Sequence, residues 1–343
     1  MRRALLVFAV GCLLAACAPS IAPPGTSSTT PHLTDTSFVT ADGLSLAVRR
    51  WLPEGQEPRA IILAVHGFND YSKAFDKVPG APGVGPYLAG RGFAVFAYDQ
   101  RGFGRSPHFG LWPGGDTMVT DFGDFARVLK AMYPQVPLYG LGESMGGAVV
   151  MTALAQSNPP PLNGAVLSAP AVWARSTMPV FYRPTLWFAA HLMPAWKPTG
   201  DSLGRMASDN IDMLRDNGRD PLFIKQTRID SVYGLSNLMD QALAASPRIT
   251  APVLYLYGHH DQIIPRKPTR EALEALTTKD PQAVRPAYYP NGWHMLMRDK
   301  QAPTVLEDIA SFLGDPAAPL PSRADVDALP RLNATQGPCP PCD

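Results

Sequence analysis

The sequence predicts an α/β protein: a mostly parallel, doubly wound sheet with a helical insertion in its second half. Two observations carry that expectation. From residue 60 to residue 313, short apolar runs alternate with stretches of helical spacing, the pattern of strand–helix–strand crossovers. The residues with chemistry in them, Ser144, Asp261 and His294, each follow the end of a different predicted strand, where open α/β sheets keep their ligands. A 343-residue chain with 45% hydrophobic residues is long enough to bury a large core. Its net charge of +1, with no long basic run, lacks the footprint of a nucleic-acid partner.

The first residues read as a targeting signal. Arg2 and Arg3 give a positive start, and Ala4 to Ala16 is an apolar stretch too short to span a bilayer. The signal, residues 1–16, ends Leu14-Ala15-Ala16-Cys17, which resembles the lipobox of bacterial lipoproteins. That resemblance implies cleavage before Cys17 and lipid on Cys17 as the mature N-terminus. Because Ala18 and not Asp follows, it also implies the outer membrane, on the periplasmic side. An ordinary secretory signal is the alternative. The four cysteines are Cys12, Cys17, Cys339 and Cys342, so the body between them holds neither a disulfide nor a thiolate metal site. Residues 17–34 are rich in Pro, Ser and Thr and read as a flexible tether with a reach of roughly 20–25 Å.

Residues 35–314 form the predicted catalytic body. Phe38 to Thr40, Asp42-Gly43 and Leu44 to Leu52 read as a hairpin with a type I′ turn. Ala60 to Val65 and Phe93 to Tyr98 are continuous apolar runs, as buried central strands should be. Thr117 to Met132 has helical spacing. Val136 to Leu141 is a strand that leads into Gly142-Glu143-Ser144-Met145-Gly146-Gly147, and an apolar helix follows. A turn this tight brings the backbone so close at Gly142 and Gly146 that a side chain would clash. Strands Gly164 to Ser168, Val253 to Tyr257 and Arg285 to Tyr289, with helices Lys267 to Thr277 and Ala302 to Leu313, complete the alternation. Residues 172–247 interrupt it with a cap rich in Met, Trp and Phe. Residues 315–343 are Pro-rich and read as disordered.

The spacing assigns roles. Ser144 is the candidate nucleophile, His294 the base and Asp261 the acid that orients it, with the backbone amides of Phe68 and Met145 as oxyanion donors. His66 is expected to brace the oxyanion loop. His259 and His260 read as loop residues. No cofactor or metal is expected.

Taken together, His66-Gly67-Phe68, Tyr98-Asp99-Gln100-Arg101-Gly102-Phe103-Gly104-Arg105-Ser106, Gly142 to Gly147, Asp261 and Gly292-Trp293-His294 resemble the monoacylglycerol lipase/lysophospholipase group of α/β-hydrolases, within the serine aminopeptidase S33-type hydrolases. The resemblance spans residues 34–314 and implies an α/β-hydrolase fold, an acyl-enzyme on Ser144 and a monoacyl lipid as substrate. It implies a cap that lines an acyl-chain tunnel, for which Phe181, Leu186, Trp187, Phe188 and Met193 are the candidates. Phe68-Asn69-Asp70-Tyr71 departs from the group's commoner run at that point. The competing readings are a proline-type aminopeptidase, an acyltransferase and a catalytically silent lipid-binding lipoprotein.

Overall fold

The structure, a computed structural model, describes residues 19–198, 204–278 and 280–334. The described residues form nine strands, β1 (His32–Leu33), β2 (Ser37–Val39), β3 (Ser45–Trp51), β4 (Ile61–Val65), β5 (Ala94–Tyr98), β6 (Leu138–Glu143), β7 (Gly164–Ser168), β8 (Val253–Gly258) and β9 (Val284–Tyr289). The helices are α1 (Val84–Ala89), α2 (Gly115–Met132), α3 (Met145–Leu154), α4 (Tyr182–Leu192), α5 (Ile211–Arg219), α6 (Ile229–Ala245), α7 (Arg266–Thr277), α8 (Ala302–Gly314) and α9 (Ala328–Ala334).

One sheet runs β1-β2-β3-β5-β4-β6-β7-β8-β9. The first three strands are antiparallel, and β5 through β9 with β4 are parallel. Strand alternation divides the core into two layers. Ile61, Leu63 and Val65 face α2, α3, α6 and α7, whereas Ile62 and Ala64 face α1 and α8. All residues of β4, β5, β6, β7 and β8 are buried, which is why these strands read as unbroken apolar runs. The chain leaves β4 toward β5 on one side and returns to β6 on the other. The sheet's switch point therefore lies between the ends of β4 and β6, where a crevice opens. This is the α/β-hydrolase architecture.

Four sequence expectations need correction. The β2–β3 hairpin does not close through a type I′ turn. Gly43 N–H donates to the Thr40 carbonyl at 2.9 Å, and only Gly43 takes positive φ, at 82°, with Asp42 outside that region. That is a type I turn followed by a glycine bulge. Residues 19–34 are not a free tether: their backbone amides bond to the body, and β1 joins the sheet. Residues 315–334 are folded. Leu320, Ala324, Ala328 and Leu332 recur every fourth residue and are buried, α9 lies against α7 and β9, and Tyr288 N–H donates to the Ala324 carbonyl at 2.8 Å. Finally, the region 172–247 is not all cap, because α6 packs along α3 and buries Leu238, Met239 and Ala242. The cap proper comprises the segment around α4 and α5. The proposed signal, Cys17, and Cys339 with Cys342 lie outside the described residues. Among the described residues no helix is long and apolar enough to cross a membrane.

Candidate active site

Ser144 stands between β6 and α3 at φ 51°, ψ −114°, a conformation that costs a residue with a side chain about 1–3 kcal/mol. Its neighbours hold it there. Ser144 N–H donates to the Ser168 carbonyl at 2.9 Å, and the Ser144 carbonyl accepts from Ala171 N–H at 2.9 Å. A Cβ on Gly142 would fall 2.5 Å from the Gly146 carbonyl oxygen, and one on Gly146 2.0 Å from that of Val65. Both positions must therefore be glycine.

The loop after β4 runs directly beside this turn. A Cβ on Gly67 would lie 3.5 Å from Ser144 Cβ, which brings the next residue, Phe68, to the serine. Met145 opens α3, so its amide lies at the positive end of a helix. His66 holds the loop: its ring bonds through Nδ1 to the Gly67 carbonyl at 2.8 Å and accepts Gln100 N–H at Nε2 at 3.0 Å. Burial pushes its pKa below the ordinary value, which fits a neutral ring donating from Nδ1.

Asp261 follows β8 and His294 follows β9, both buried. Asp261 Oδ2 lies 2.9 Å from His294 Nδ1. The other oxygen, Oδ1, accepts the amides of Ile263 at 2.8 Å and Ile264 at 2.9 Å, which fixes the carboxylate's plane. Burial alone would lower the His294 pKa. The adjacent Asp261 carboxylate, aided by Glu143, outweighs it and moves the value upward. His259 instead bonds to Tyr288, and His260 stacks on Trp293 at 5.2 Å; neither lines the cavity described next.

A cavity of about 600 Å³ opens over Ser144 and His294, well within the usual range for small-molecule sites of roughly 300–1,000 Å³. Its walls are mainly apolar, with Trp173, Met178, Leu186, Val232, Leu235 and Met239 prominent. Of the five cap candidates only Leu186 lines it. Phe181, Trp187, Phe188 and Met193 point away and are 64%, 45%, 55% and 50% exposed. A helix apolar nearly all round gives no sequence signal for which side turns inward, and the inner side of α4 proves to be Tyr182, Thr185, Leu186 and Ala189.

Beneath the site lies a buried ion network that the sequence reading did not single out. Arg298 pairs with Asp70 of the oxyanion loop at 2.8 Å and with Glu143, the residue before Ser144, at 2.7 Å. Burial pushes the Glu143 pKa up, and Arg298 opposes that shift. The motif Tyr98 to Ser106 pins the loops behind the site. Arg101 bridges Asp42 of the hairpin at 2.7 Å and Asp121 of α2 at 2.6 Å, while Asp99 accepts the Ser72 amide at 2.9 Å and the Arg105 amide at 2.8 Å. Among the described residues no cluster of His, Cys, Asp and Glu is arranged to hold a metal.

The fold and site together define a class of protein. The profile of the family described as serine aminopeptidase, S33, matches residues 56–301, and the chain belongs to that family. Among curated relatives, it is 29% identical to the monoglyceride lipase of Mus musculus over 298 residues, covering 82% of this chain and 89% of the relative. It is 27% identical to the monoacylglycerol lipase of Mycolicibacterium smegmatis, covering 81% and 95% of the two chains. Among solved structures, the monoacylglycerol lipase of Paleococcus ferrophilus shares the fold, with a TM-score of 0.63 at 23% identity over 78% of this chain and 98% of that one.

Proposed function

We propose that the protein is a serine hydrolase that cleaves the carboxylic ester of a monoacyl lipid, a monoacylglycerol or lysophospholipid, through an acyl-enzyme on Ser144. One observation carries the reading: a strained serine and a buried, carboxylate-oriented histidine share the floor of a mainly apolar cavity. His294 takes the proton of Ser144 Oγ as the oxygen attacks the ester carbonyl carbon. The oxyanion then sits on the amides of Phe68 and Met145, each contributing about 3 kcal/mol to the transition state. His294 returns the proton to the leaving glycerol or headgroup alcohol. Water, deprotonated by the same imidazole, releases the fatty acid and restores Ser144.

The aminopeptidase reading suggested by the family's description asks for a carboxylate free to bind a peptide's ammonium group. Among the described residues, the two carboxylates lining the cavity, Asp70 and Glu143, are both paired with Arg298, which favours the ester. The relatives named as monoglyceride and monoacylglycerol lipases support the same choice. The lipobox-like Cys17 supports a lipid-anchored enzyme of the outer membrane, on the periplasmic side, close to lipid substrate.

A fluorophosphonate probe tests the nucleophile. Labelling should map by mass to Ser144, and Ser144→Ala should lose labelling and about a thousandfold or more of ester turnover while keeping its thermal transition. Labelling at another residue, or near-normal turnover in the variant, contradicts the reading.

A further inference from the structure

The chain between Cys17 and the body is pinned at several points. Ser20 N–H donates to Asp230 Oδ2 at 3.1 Å, and Ala22 N–H to the Trp112 carbonyl at 2.8 Å. Farther on, Gly25 N–H donates to Asp42 Oδ2 at 2.7 Å, and the amides of Ser28 and Thr29 share the Ala41 carbonyl at 2.7 and 3.1 Å. The body side of these contacts is itself fixed. Asp42 is gripped by Arg101, and Asp230 by Arg228 at 2.6 Å.

Where this strap begins is informative. Asp230 N–H donates to the Pro194 carbonyl at 3.2 Å and Ile229 N–H to the Trp196 carbonyl at 2.8 Å, so Ser20 is fastened to the segment that ends the cap helix α4. Three residues reach at most about 10 Å, so a lipid on Cys17 must emerge within that distance of Ser20, which Asp230 ties to the end of the cap helix. The outer face of the same cap is apolar and aromatic: Phe181, Trp187, Phe188, Leu192 and Met193 are all exposed, and Trp196, which also lines the cavity, is half exposed. Residues 176–198 add exposed Arg183 and Lys197 and contain no carboxylate. Aromatic and apolar side chains with cations at their edge suit the headgroup level of an anionic leaflet. The inner face of α4 walls the cavity.

We propose that residues 19–42 are a fixed strap that brings the lipidated N-terminus out beside the cap, so that the anchor and the aromatic face of α4 engage the same leaflet. The cavity is thereby held against the membrane that carries the anchor. The proposal rests on the lipidation of Cys17 and on the monoacyl-ester reading given above.

The test uses the full-length protein extracted from membranes and reconstituted into vesicles of phosphatidylethanolamine and phosphatidylglycerol, with and without brominated acyl chains. Bromolipid should quench tryptophan emission, and Trp187→Phe with Trp196→Phe should remove most of that quenching. A Gly/Ser linker of about 20 residues between Ala18 and Pro19 keeps every strap contact but adds roughly 25 Å of reach. It should weaken quenching and slow hydrolysis of a monoacylglycerol in the same vesicles by about three- to tenfold, through lower effective concentration. Turnover of a water-soluble butyrate ester should not change. Amide hydrogen exchange should be slowed at Ala22, Ser28 and Thr29. Fast exchange at all three, or a linker variant that matches the parent in quenching and vesicle turnover, overturns the proposal. So does a mass spectrum showing no acyl chain on Cys17. A parent protein that hydrolyses neither butyrate nor monoacylglycerol, with quenching and exchange as expected, overturns the ester reading alone and leaves the strap standing.

Discussion

At the residue scale, the chemistry depends on groups that the sheet brings together from distant parts of the chain. Asp261 raises the pKa of His294 against the effect of burial, and a base works only when unprotonated. Activity should therefore fall with decreasing pH through a midpoint above 6.5, the ordinary histidine value. Asp261→Asn should move that midpoint down and cost about three to four orders of magnitude in kcat. A pH profile of kcat/KM for parent and variant checks both, and a parent midpoint at or below 6.5 contradicts the assignment. Arg298 makes a second case. Replacing it by Met leaves the carboxylates of Asp70 and Glu143 buried without their cation, at a cost of about 3–5 kcal/mol. Denaturant unfolding should read that loss, and an unchanged midpoint would show the network to be idle. The placement of the candidate triad, Ser144, Asp261 and His294, was legible in the sequence because each follows a strand end. Arg298 was not, because its pairing with Glu143 spans 155 residues and no local spacing announces it.

At the element scale, the sheet was readable and its coverings were less so. Strands β4 to β8 are buried on both faces, and a continuous apolar run is the direct consequence. Helix α1 escaped notice because it is six residues long and contains Gly85 and Pro86. The two terminal segments escaped for another reason. Their Pro, Ser and Thr content argues against a packed core, yet residues 19–34 attach through backbone amides, which composition does not reveal. The tail had a signal in the four-residue spacing of Leu320, Ala324, Ala328 and Leu332, masked by its prolines. For α4 the orientation makes a sharp prediction. Leu186→Trp fills part of the cavity and should shift preference toward shorter acyl chains, whereas Phe188→Ala, on the outer face, should leave the preference for soluble esters unchanged. Chain-length profiles of the two variants check it. Equal effects would mean that the helix presents a different side to the substrate.

At the scale of the whole molecule, one geometry serves fold and function. The crossover from β5 back to β6 opens the crevice beyond β4, and the oxyanion loop and nucleophile turn come from the two strands that border it. Loops after β8 and β9 add Asp261 and His294, the proposed acid and base, and the inner wall of the cap closes the cavity above them. The proposed strap extends this arrangement to the membrane, giving an apolar cavity and its lipid source a common side. The central claim, that this cavity receives a single acyl chain, is open to direct measurement. Steady-state hydrolysis by the chain lacking residues 1–18 is followed across p-nitrophenyl esters from acetate to palmitate, together with a monoacylglycerol and a lysophospholipid. kcat/KM should peak at medium or long chains, and at least one of the monoacyl lipids should turn over. Activity confined to acetate-length esters would contradict the claim and reduce the cavity above Ser144 to packing.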